Sequence, residues 1–158
     1  MNIPAEFDEI RPYAPEELPQ VFEELIADPM FQAVATQVMP GIPFDMLAAQ
    51  MRLCKTNLDF QKAFFYKLLK ELVKKCAKGI DFDCSAIQDK TNHYTFISNH
   101  RDIILDAAFL DILLVDEGMN TVEIAIGDNL LIYPWIKKIV RINKSFIVKR
   151  GLSLREQL

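Results

Sequence analysis

A chain of 158 residues that is 51% hydrophobic can bury one core and a smaller helical annex. Its net charge of −4 gives no bulk attraction for nucleic acid, whose partners usually carry a strongly basic domain. No apolar run approaches the roughly 18–20 residues needed to span a bilayer, which points to a soluble or membrane-peripheral protein.

Residues 1 to about 90 read as a helical amino-terminal region. Pro12, Pro15 and Pro19 punctuate an acidic opening, and helices are expected over 15–27 and 29–39. Pro40-Gly41-Ile42-Pro43 breaks the pattern, and a further helix is expected over 43–54. The strongest helical signal covers 59–78. Phe60, Phe64, Leu68, Leu72 and Cys76 recur at every fourth position, lysines fill the remainder, and Gly79 stops it.

After Asp83 the period changes. Tyr94–Ser98 reads as a strand, 103–115 as a helix apolar nearly all round, and Val122–Ile126 as a second strand. A short helix around Pro134 follows, then a third strand over Lys144–Lys149. Strand, helix, strand, helix, strand at these lengths predicts an α/β fold with a parallel sheet and crossover helices. The expected organisation is thus a helical region over 1–90 and the start of an α/β domain over 91–158.

Ligands of open parallel sheets sit beyond the carboxyl ends of the strands. His100 follows the first predicted strand, and Lys149-Arg150 the third. A histidine there can take a proton from a hydroxyl if a carboxylate orients its other ring nitrogen. Asp102 and Asp106 are the carboxylates within reach, while Lys149 and Arg150 can hold an anion such as phosphate. The plainer alternative is that Asn99 or Asp102 caps the helix and His100 only bonds the backbone.

Asn99-His100-Arg101 with a nearby aspartate resembles the first motif of the glycerolipid acyltransferases, the glycerol-3-phosphate and lysophosphatidate acyltransferases. That motif is Asn/Ser-His, four residues, then Asp. The segment "KSFIVKR" resembles their second motif, Gly-x-x-Phe-x-x-Arg, with Ile147 in the Phe place and Arg150 in the Arg place. Pro134 stands sixteen residues before Arg150, as a helix-starting proline does in the family. The resemblance covers about 94–158. It departs at two positions: Asp106 lies six residues after His100 where the family has five, and Lys144 replaces the motif's Gly. On a continuous helix one extra residue turns the carboxylate by about 100°, so the pair needs the insertion to be absorbed in the turn, for example with Asp102 as the cap.

The resemblance implies an αβα acyltransferase domain that transfers a fatty acyl group from acyl-CoA or acyl carrier protein to a phosphorylated glycerol-type acceptor in phospholipid synthesis. His100 would be the general base, Asp106 (or Asp102) its orienting group, and Arg150, Lys149 and Arg101 the residues that bind substrate. No cofactor and no metal is implied. The family's later motifs do not appear before Leu158. The capping-box start Ser153–Glu156 also breaks off there, so the chain is expected to be an amino-terminal fragment, inactive alone and prone to self-association through its unfinished sheet. The competing expectation is a non-catalytic helical interaction module with a vestigial acyltransferase half.

Other signals are weaker. "HRD" resembles the protein-kinase catalytic loop, but Ala107 stands where that loop needs Asn. His93, His100 and the cysteines lack zinc-ligand spacing, which leaves His93 as a surface or loop residue. Cys54, Cys76 and Cys84 are odd in number and without CxxC spacing; with no charged-then-apolar leader, they suggest core thiols of a cytoplasmic protein. The lysine-rich helix fits either a solvated face or contact with an anionic membrane at the inner face, or with an acidic carrier protein. Tyr133 and Trp135 are expected to be packing anchors or a cover for an acyl chain.

Overall fold

The computed structural model describes residues 3–99, 101, 102 and 104–151. Among them the helices are α1 (Leu18–Ile26), α2 (Pro29–Val38), α3 (Phe44–Leu53), α4 (Asn57–Phe60), α5 (Lys67–Cys76), α6 (Leu105–Asp116) and α7 (Pro134–Ile142). The strands are β1 (Ile124–Gly127) and β2 (Ser145–Val148). The chain divides into two compact units, Met1–Gln61 with Glu123–Leu158, and Lys62–Val122, which places residue 90 inside the second.

The first unit is built on α1. Its Leu18, Val21, Phe22 and Leu25 recur at helical spacing and are all buried, with Met51 of α3 and Ile142 of α7 in the same core. Phe22 stacks on Phe60 with ring centroids 5.6 Å apart. The helix starts follow local chemistry. The Asp28 carboxylate accepts from the Met30 and Phe31 amides at 2.9 and 3.2 Å, with Pro29 opening α2. Thr56 and Asp59 close a capping box at α4. Three expected helices, over 15–27, 29–39 and 43–54, correspond to α1, α2 and α3.

β1 and β2 pair in parallel, Ile124 opposite Ser145 through Gly127 opposite Val148, and α7 connects them. This is the carboxyl-terminal strand-helix-strand that the sequence predicts. The amino-terminal segment is tied to the same layer: the Ile147 amide donates to the Ile10 carbonyl at 2.8 Å. Arg141, 6% exposed, donates through Nε to the Arg11 carbonyl at 2.7 Å and through Nη2 to that of Asp8, with its guanidinium 3.9 Å from the Tyr13 ring. A buried guanidinium is tolerated here because carbonyls and a π face replace its water.

Arg11 in turn grips Glu17 with both terminal nitrogens, at 2.6 and 3.2 Å. That bond holds the Glu17 carboxyl below the usual carboxylate range, against the opposing effect of burial, with help from the Ala14 amide. A depressed folded-state pKa stabilises the fold above the ordinary glutamate value, and this is lost as pH falls through the folded value. Glu17→Gln should therefore lose less urea resistance than the parent between about pH 6 and about pH 3. Equal losses in the two proteins would dismiss the pair as a source of acid sensitivity.

The second unit holds α5 and α6; the boundary falls in the π-helical stretch Gln61–Tyr66. α5 is amphipathic with no fully buried residue, its Lys70 and the Tyr66 hydroxyl both bonding Asp116 at the end of α6. Lys90 joins Glu117 at 2.9 Å. α6 buries Ile112 and Leu114, and its remaining apolar residues are mostly half-buried.

The strand expected over Tyr94–Ser98 is not formed: residues 93–99 carry no strand, and all seven are exposed. A strand is held by a partner's backbone groups, and this unit offers no second strand among the described residues. Tyr94 and Phe96 pack on each other instead, while Ile97 is 93% exposed. The cysteine expectation also needs correction. Cys54 is buried, and burial pushes its thiol pKa up, but Cys76 is exposed and Cys84 half-buried. Cys76 falls in the last turn of α5, where that helix has no buried side. No described helix is long and apolar enough to cross a membrane.

Candidate functional site

His100 lies outside the described residues, so the geometry is built from its neighbours. Asp102 Oδ1 accepts from the amides of Ile104 and Leu105 at 2.9 and 2.7 Å. The carboxylate thereby satisfies amides at the entry to α6, donors that the first helical turn leaves open. Asp106, in the first turn of α6, folds back. Its Oδ2 accepts from the amides of Arg101 and Asp102 at 2.7 and 3.0 Å. The two candidate carboxylates are thus placed differently: Asp102 accepts from amides ahead of it at the entry to α6, and Asp106, inside the first turn, accepts from amides behind it. Arg101 is exposed beside them.

In the first unit, Lys149 and Arg150 follow the carboxyl end of β2 and are exposed. The Arg150 amide donates to Asp128 Oδ1 at 3.2 Å, joining the end of β2 to the turn after β1. That contact is not among the expected site features, although Gly127-Asp128-Asn129 directly after a strand is a legible turn signal. Neither Lys149 nor Arg150 forms an ion pair with a described carboxylate, so both cations keep their donors for an incoming oxyanion.

Lys144, at the place of the second motif's Gly, adopts φ 60°. That left-handed conformation is what glycine takes at no steric cost and other residues take at about 1–2 kcal/mol. Trp135 packs against Phe31 at 6.2 Å, and its indole N–H is buried without a hydrogen-bond partner among the described residues. The contact with Phe31 fits the packing-anchor alternative. His93 is exposed, and the described residues hold no group of three or more His, Cys, Asp or Glu able to bind a metal ion. No family model, curated protein or solved structure matches this chain.

Proposed function

We propose that this chain carries the first two motifs of an acyltransferase that moves a fatty acyl group from a thioester, acyl-CoA or acyl carrier protein, to a hydroxyl of a phosphorylated glycerol-type acceptor. The observation that carries the reading is the Asp106 carboxylate turned back onto the Arg101 and Asp102 amides. On this reading the extra residue after His100 is taken up in the turn where Asp102 accepts from the Ile104 and Leu105 amides. A carboxylate placed over the residues that follow a histidine is suited to orient that ring.

In this mechanism His100 accepts the proton of the acceptor hydroxyl as its oxygen attacks the thioester carbonyl. Asp106 holds the imidazole in the required tautomer and stabilises the imidazolium. The tetrahedral intermediate expels the thiolate, which recovers the proton from His100. No acyl-enzyme forms, so no Ser or Cys nucleophile is needed. Arg150 and Lys149 neutralise the acceptor phosphate. The thioester donor is reached at a membrane face or from a soluble carrier.

The test is release of free thiol from palmitoyl-CoA or palmitoyl-acyl carrier protein by the full-length gene product, with and without sn-glycerol 3-phosphate or its 1-acyl derivative. Thiol release that depends on the acceptor, with stoichiometric ester formation, is the expected result. The exposed Tyr94–Ser98 segment favours the second reading, a non-catalytic interaction module. No ester with any donor and acceptor pair would decide for that module.

A further inference from the structure

Gly127 ends β1 with φ −71° and ψ 137°, ordinary extended backbone that any residue adopts. Its backbone therefore gives no reason for glycine. What lies over it does. A Cβ built there would come 2.6 Å from Asn129 Oδ1, 2.7 Å from Arg150 Nε and 3.2 Å from Arg150 Cζ. Side-chain ends from two separate segments converge on the space above one α-carbon. They meet at the carboxyl edge of the parallel pair, where such sheets place ligands.

We propose that Gly127 and Asn129 complete an anion pocket with Arg150, and that its ligand is a phosphomonoester with a free hydroxyl beside the phosphate. The proposal rests on the acceptor reading given above and adds two residues to it. Arg150 supplies the charge and a planar fork of donors for phosphate oxygens. Asp128 bonds the Arg150 amide and so fixes where the guanidinium starts from. Asn129 Oδ1, directed to the same space, accepts from a ligand hydroxyl, which separates a phosphorylated polyol from a bare phosphate. Gly127 is a positioning residue: it touches no ligand, but its missing side chain admits both groups.

Alanine at 127 suits the backbone, and the atoms it would displace are ends of flexible side chains. Gly127→Ala should therefore leave the fold intact and move the guanidinium. Calorimetric titration of the full-length gene product with sn-glycerol 3-phosphate and with inorganic phosphate tests this, with thermal melts alongside. Gly127→Ala is expected to weaken both ligands by about tenfold or more at an unchanged melting temperature, the effect of a lost charge-assisted hydrogen bond. Asn129→Ala should weaken sn-glycerol 3-phosphate and leave inorganic phosphate unchanged, and it decides the matter if Gly127→Ala does not fold.

If Arg150→Ala loses binding while Gly127→Ala and Asn129→Ala stay within about twofold of the parent, the added residues are overturned and the acceptor reading stands. If the parent itself binds neither ligand, the pocket and the acceptor reading fall together.

Discussion

Replacing His100 with alanine should reduce acyl transfer by the full-length gene product by about 10²–10⁴-fold, the usual cost of losing a placed general base. The loss should appear in kcat at saturating acceptor, because the phosphate grip proposed for Lys149-Arg150 is untouched. Stability should hardly change, since the two cores rest on other side chains, Leu18, Phe22, Leu25 and Ile142 in one unit and Ile112 and Leu114 in the other. Asp106→Asn should give a smaller loss, as the amide keeps one acceptor for the turn but cannot stabilise an imidazolium. Ester formation within about threefold of the parent by a folded His100→Ala protein would reject the base assignment.

The second large effect is on stability. Phe22 is 1% exposed, stacks on Phe60 and lies on the α1 face that fills the first unit's core. Phe22→Ala removes the ring and leaves a cavity that α1 and α4 can close only partly, at a cost of about 3–5 kcal/mol. Against the roughly 5–15 kcal/mol that holds most domains together, this is a large fraction. The urea midpoint should fall sharply with the slope unchanged. A loss below about 1 kcal/mol would mean that the face is packed loosely or that the core is centred elsewhere.

The helices of the first unit were legible because prolines and caps mark their starts and an apolar face marks their cores. Asp28-Pro29 and Thr56-x-x-Asp59 are local signals, and local signals survive without knowledge of partners. The stripe from Phe60 to Cys76 was legible as helix but not as π-helix. On an α-helix a strict four-residue interval drifts by about 40° at each step, and a wider i→i+5 stretch takes up part of that drift. The exact fourfold spacing at Phe60, Phe64 and Leu68 is consistent with the π stretch Gln61–Tyr66.

Tyr94–Ser98 failed for the opposite reason. Its composition is strand-like, but a strand depends on what pairs with it, and a single segment does not carry that information. At the candidate site the sequence offered Asp106 as the orienting group, with Asp102 as a cap or an alternative to it. The opposite directions in which the two carboxylates bond depend on backbone amides, which every sequence has and none displays.

The first unit is assembled from two stretches of chain separated by the residues of the second, 62–122. The Arg141 contacts to the Asp8 and Arg11 carbonyls and the Ile147 bond to Ile10 join positions more than a hundred residues apart. During synthesis at about 5–20 residues per second, the amino-terminal helices therefore wait several seconds for their closing strand. In that interval the Leu18, Phe22 and Leu25 face has no α7 to cover it. Residues 62–122 lie entirely within one stretch and can fold in the meantime. The order of maturation then runs against the order of the chain, and nascent chains arrested before α7 should be the species that chaperones hold.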